Sequence, residues 1–226
     1  MFIYNLLFLH IMKGKKRERI LRVLLNHPDG SLTIYRLAKE AECSHPWVLE
    51  FLKTLEQKKL IKKTKVVHAE GLFTYWLEIS KYPTYREYNI QNPLNLLKKT
   101  TLPYALTTYY AESLTQHYLF PSRVDIYIQE EDIQQWHKLL SENGLVGKGN
   151  FRILLDDKYV FYANVVKKKI RIVSHPQLIV DLLREQGVAV EAAHKLIRKE
   201  YHATLNINSS CSTVRISLFT VSCTSL

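Results

Sequence analysis

Apolar side chains recur at helical spacing three times in the first quarter of the chain. Ile20, Leu21, Val23 and Leu24 stripe a helix over residues 15–27, and Pro28-Asp29-Gly30 stops it. Ile34, Leu37, Ala38 and Ala41 stripe a second helix, and Val48, Phe51, Leu52 and Leu55 a third. Ser44 is placed to cap the third helix through its hydroxyl, and Pro46 falls in its first turn, where no backbone N–H is needed. The period then changes to two. LIKKTKVVH reads as a strand, Ala69-Glu70-Gly71 as a turn, and LFTYWLEI as a second strand. In that strand Phe73, Tyr75, Leu77 and Ile79 share one face, and Leu72, Thr74, Trp76 and Glu78 the other. Helix, helix, turn, helix and two-stranded wing predict a winged helix-turn-helix over residues 13–80.

Residues 81–95 hold two prolines, three tyrosines and no glycine, and predict an extended connector packed on a neighbour. From 96 to 202 the periods alternate. Strands are expected at 104–107, 123–128, 151–155, 159–162 and 167–173, and helices at 108–117, 132–143, 176–185 and 188–199. Asp156-Asp157 reads as a turn between two strands, and Ser174 with Gln177 as a capping box. In the last helix Val190, Ala193, Leu196 and Ile197 are expected inward, and Tyr109, Tyr110 and Tyr118 in this second core. The whole is α+β: the helical module, then a small α/β domain. Residues 203–226 carry one charge, Arg215, among many serines and threonines, and read either as a strand pair or as a tail with no assigned role. The apolar run at residues 1–11 is either a real N-terminal helix or the product of an unused start. It is far shorter than the roughly 20 residues of a membrane span, so no membrane is expected.

Charge sharpens the picture. The chain of 226 residues carries a formal net charge of +11, divided +6 over residues 1–80 and +5 over the rest. Such a balance favours a polyanionic partner, here double-stranded DNA. On the third helix Glu50, Lys53 and Gln57 lie about half a turn from the apolar stripe, with Thr54 at its edge. His45 and Trp47 open the same helix, Trp47 between its faces. Lys62, Lys63 and Lys65 charge the first wing strand. These nine residues are the candidate contacts to phosphates and base edges. A merely solvated lysine face is the alternative. Lys167, Lys168, Lys169 and Arg171 form a second basic patch, readable as a protected sheet edge or a further phosphate contact. Cys43, Cys211 and Cys223 form no CxxC pair, and nine scattered histidines form no metal motif. No metal or cofactor is expected. Three isolated cysteines suit a reducing cytoplasm.

YALTTYYAESLTQHYLFPSRVDIYI at residues 104–128 and IRIVSHPQLIVDLL at 170–183 resemble the minimal nucleotidyltransferase fold of AbiEi-family antitoxins from type IV toxin–antitoxin systems. A winged helix before such a domain is that family's usual arrangement. The resemblance implies a DNA-binding regulator that represses its own operon and neutralises a nearby toxin; a homodimer is a possible assembly. Active members of the fold carry a Gly-Ser pair and two aspartates that hold Mg²⁺. Here Asp125 matches the first aspartate, Tyr127 takes the place of the second, and no glycine occurs between Gly71 and Gly144. A neutral phenol is a poor Mg²⁺ ligand. No catalytic residue is therefore expected; an active Mg²⁺-dependent nucleotidyltransferase guided by its winged helix is the rival reading.

Overall fold

The computed structural model describes residues 2–202. The expectations for residues 203–226, with Cys211 and Cys223, lie outside the described residues. Helix α1 (Phe2–Asn26) is longer than its predicted stripe and buries Ile20, Leu21, Val23 and Leu24 as expected. Helices α2 (Ile34–Glu40) and α3 (His45–Gln57) follow, with Leu37, Ala38 and Ala41 buried from the first stripe and all four residues of the second. Strands β1 (Ile61–Lys62) and β2 (Lys65–Val66) make a minimal antiparallel hairpin. Its turn is Lys63-Thr64; Lys63 has φ +57°, and Thr64 is buried with its hydroxyl donating to the Leu32 carbonyl at 2.7 Å.

The expected second wing strand is a helix. Residues Ala69–Ile79 form α4, capped by His68, whose Nδ1 accepts from the Gly71 N–H at 2.8 Å. Leu72, Phe73 and Trp76 are its buried residues, a spacing of one and three that only a helix brings onto one face. The alternation along this stretch is real, but it is shared by both periods, and burial of Trp76 decides for the helix. Ala69-Glu70-Gly71 is accordingly its first turn.

The rest is built on a seven-stranded mixed sheet in the order β6-β3-β7-β5-β4-β9-β8, so the chain is α+β. The strands are β3 (Thr84–Ile90), β4 (Ala105–Thr107), β5 (Val124–Ile128), β6 (Gly144–Val146), β7 (Phe151–Leu155), β8 (Val165–Lys167) and β9 (Ile170–Ile172). Pairs β5–β7 and β4–β9 are parallel, the others antiparallel. Helices α5 (Pro93–Lys99), α6 (Thr108–Thr115), α7 (Ile133–Asn143), α8 (His175–Arg184) and α9 (Val188–Ile197) complete it.

Several expectations are corrected here. Much of the connector is β3, hydrogen-bonded between β6 and β7 with Tyr88 and Ile90 buried. Residues 159–162 form a 3₁₀ turn, Lys158–Phe161, because the Asp157 carboxylate caps the Tyr159 N–H at 2.9 Å. The one strand expected at 167–173 is part of a hairpin over residues 165–172: Lys168 and Lys169, with φ of +49° and +65°, make the two-residue loop between β8 and β9. Ser44 and Ser174 hold the N-cap positions of α3 and α8, yet neither hydroxyl caps. Gln177 is turned instead toward Arg22, which closes off the capping box. In α9 the inward residues are Ala189, Ala192, Ala193, Leu196 and Ile197, with Val190 only half-buried. Tyr118 is exposed, its hydroxyl on Glu191 at 3.0 Å.

Helix α1 and the end of α4 pack on α8, and buried residues from Ile20 to Tyr201 form one continuous cluster. Among the described residues no helix is long and apolar enough to cross a membrane.

Candidate functional site

Helix α3 has two faces of opposite character. Val48, Phe51, Leu52 and Leu55 are buried, while His45, Glu50, Lys53 and Gln57 are exposed. Trp47 and Thr54 are half-buried at the border. The Trp47 ring lies 5.8 Å from that of Phe51, so it packs as well as showing an edge. The Thr54 hydroxyl donates to the Glu50 carbonyl at 3.1 Å and is left with acceptor capacity only. Lys62 and Lys63 are exposed and Lys65 is half-buried. Lys62 and Lys65 face each other across the hairpin, a like-charged cross-strand pair that is unfavourable by itself. Glu56, at the end of α3, fixes the hairpin by accepting the Lys63 N–H at 2.6 Å. Lys58 and Lys59, exposed between α3 and β1, add to this basic strip. Sequence reasoning passed over them, although QKKL directly continues the helix they extend.

A second polar centre lies in the sheet. Asp125, on β5, has 0 % exposure and accepts from both arms of two guanidiniums. Arg123 reaches it at 2.7 and 3.0 Å, Arg152 of β7 at 3.1 and 3.0 Å, and the Thr108 hydroxyl also donates to it. Both arginines reach on to Glu185 at 3.1 and 2.6 Å, so two cations face two carboxylates. Burial works against the Arg152 charge, but Asp125 and Glu185 outweigh it and hold its pKa above the ordinary value. Thr108 adopts φ +51°, a left-handed conformation that a β-branched residue rarely takes. It stands at the β4–α6 junction, where a glycine would be free of strain.

Tyr127, two residues on, is wholly buried and donates to Asp181 Oδ1 at 2.8 Å. Burial first, then the Asp181 charge, push its hydroxyl well above the usual range. Asp181 also accepts from Thr107 at 2.6 Å, Gln177 at 3.0 Å and Arg184 at 3.1 Å; burial still raises its pKa. Gln177 accepts in turn from Arg22 of α1 at 3.0 and 2.7 Å. The cavity beside Thr108, Tyr127, Arg152 and Asp181 measures about 10 Å³, room for roughly one water. Asp157 is paired with Arg19 at 3.0 Å. Arg123 stands two residues before Asp125, a spacing the sequence reading did not use. Arg152 and Glu185 carry no local signal.

Among the described residues no group of three or more histidine, cysteine, aspartate or glutamate side chains is placed to hold a metal ion. Set against protein-family models, curated proteins and solved structures, the chain matches none of them.

Proposed function

We propose that residues 14–79 act as a winged helix that binds duplex DNA, and that the sheet domain is a nucleotidyltransferase-like body without catalysis. The observation that carries the first half is the exposed Glu50–Lys53–Gln57 face of α3 beside a hairpin whose lysines oppose each other. Opposed lysines are relieved by an anion lying across both, as a phosphate backbone would lie. The second half rests on Asp125. Two bidentate arginines and a threonine hydroxyl already fill its lone pairs, leaving no acceptor for Mg²⁺, and the adjoining cavity is too small for a nucleotide. By its resemblance to the AbiEi antitoxins the chain would serve as a transcriptional regulator, with a toxin encoded nearby as its second partner. The test is direct. The full chain should bind duplexes with an affinity that falls steeply as salt rises, and should transfer nothing from labelled nucleotides in Mg²⁺. Salt-independent or absent binding to every duplex sinks the first half, and measurable transfer sinks the second.

A further inference from the structure

A cavity of about 410 Å³ lies where the helices of the first part meet the sheet, and it touches the Asp125 centre through Tyr82, whose hydroxyl accepts from Arg152 at 2.9 Å. Glu18 of α1, Ile79 of α4, Tyr82 and Pro83 before β3, and Leu155 and Asp156 at the end of β7 line it. Its volume falls in the range of small-molecule sites, roughly 300–1,000 Å³. Its place fits as well. β5 and β7 are parallel neighbours, and the cavity opens at their carboxyl ends, bordered by Asp156 after β7 and Glu130 after β5. Crevices beyond the carboxyl ends of parallel strands are where such sheets hold ligands.

Its chemistry is unusual for this molecule. Asp125, Asp157, Asp181 and Glu185 each meet an arginine within 3.1 Å. Glu18 and Asp156 do not. Among the described residues Glu18 accepts only the Trp76 indole N–H at 3.3 Å, and Asp156 only the Asp157 N–H at 2.7 Å. Glu18 and Asp156 thus share one cavity, lined also by Glu78 and Glu130, and among the described residues neither of the two forms an ion pair. Burial, and then the charge of Asp156, push Glu18 up to about 7, while burial also raises Asp156. Glu18 thus keeps its proton to higher pH than an ordinary glutamate.

We propose that this cavity binds a small organic cation whose protonated amine or guanidinium sits between Glu18 and Asp156 and whose carbon body packs on Ile79, Pro83 and Leu155. Among the described residues no three carboxyl groups are placed to hold a metal ion, and Glu18 and Asp156 alone are too few for Ca²⁺ or Mg²⁺, which take six or more oxygens at close range. They match an ammonium or guanidinium, which needs only charge and two acceptors. Lys15, Arg17 and Lys81 also border the cavity, so a cation with an anionic far end finds partners at both ends. The walls belong to α1 and α4 on one side and to the β3 and β7 ends on the other. An occupant therefore bears on how the proposed DNA-binding helices are held against the sheet.

Agmatine and arginine are the probes, with butyrate as a cation-free control, titrated into the full chain near neutral pH by calorimetry. At least one guanidinium compound should bind saturably, and Glu18→Gln and Asp156→Asn should each weaken it by about tenfold or more. Both variants should melt no lower than the wild type, because neither carboxyl forms an ion pair and each amide keeps an acceptor oxygen for the N–H bonded now. Ile79→Trp, which fills the cavity and leaves the charges in place, should abolish the same binding. The proposal is overturned if neither guanidinium compound binds saturably, if butyrate binds as tightly, or if all three variants bind like the wild type.

Discussion

Glu18 shows how a single side chain can carry a pH dependence that the fold does not need. Its pKa of about 7 lies above the ordinary 4.5. Burial is the first cause and Asp156 the second; Arg22, Arg184 and the Trp76 N–H pull the other way. A carboxyl raised in this way binds its proton more tightly folded than unfolded. Its contribution is most favourable below the unfolded pKa and is lost as pH rises through the folded one. The full span corresponds to roughly 3 kcal/mol, reduced because Glu18 keeps partial access to water. Between about pH 5 and pH 8 the wild type should therefore lose on the order of 1–3 kcal/mol more stability than Glu18→Gln, measured by urea unfolding. Parallel pH profiles for the two proteins would refute this. Glu50 poses the opposite kind of question. A carboxylate facing a polyanion is repelled unless it accepts from a base, most naturally a cytosine amino group. Glu50→Ala should relax preference at one or two positions while non-specific affinity stays equal or rises, and Lys53→Ala should weaken binding through the phosphates. Site selection from a random duplex library on both variants reads the difference; unchanged selection with Glu50→Ala removes that residue from base recognition.

At the scale of elements, what was legible depended on whether one period dominated. α3 was readable because its four apolar residues fit only a helix, and β5 because Val124, Ile126 and Ile128 alternate against a helix-breaking flank. α4 was not, since Phe73, Tyr75, Leu77 and Ile79 alternate by chance along a helix whose buried residues are Leu72, Phe73 and Trp76. β3 reads as a polar connector because its ladder partners, β6 and β7, lie more than fifty residues away. The β8–β9 loop escaped notice because its two left-handed residues are lysines, where glycine or asparagine is the usual signal. The stretch expected as one first wing strand is itself the β1–β2 hairpin, and its lysines give it a testable role. Replacing Lys62, Lys63 and Lys65 together by alanine should weaken binding to every duplex alike. The log–log salt slope should flatten by roughly one unit for each phosphate no longer neutralised. An unchanged slope would leave these lysines on a solvated face. Stability should stay level or rise, because the change removes the opposed Lys62–Lys65 pair.

Across the whole molecule, the polar bonds that join the parts are the ones the sequence hides best. Asp125 could be singled out from its strand, but Arg152 meets it from 27 positions away and Gln177 meets Arg22 from 155. These are facts of the fold alone. They tie the helical part to the sheet: Arg22, almost wholly buried, donates to Gln177 and stacks its guanidinium 5.2 Å from Trp76. Arg19 pairs with Asp157, and the Tyr201 hydroxyl donates to the Leu25 carbonyl at 2.9 Å. With apolar packing of α1 and α4 on α8 around these bonds, neither part can open without exposing core of the other. We therefore expect residues 14–202 to unfold as one unit, with tryptophan fluorescence and far-ultraviolet circular dichroism giving coincident transitions. Arg22→Met keeps the buried stem and removes the donors, leaving the Gln177 carbonyl oxygen without its partner. The expected loss is about 1–3 kcal/mol, the range for a stranded buried acceptor. The transition should remain single, since the apolar packing persists. Two separated transitions, in the wild type or in this variant, would mean that the helical part stands on its own core and that Arg22 merely decorates the junction.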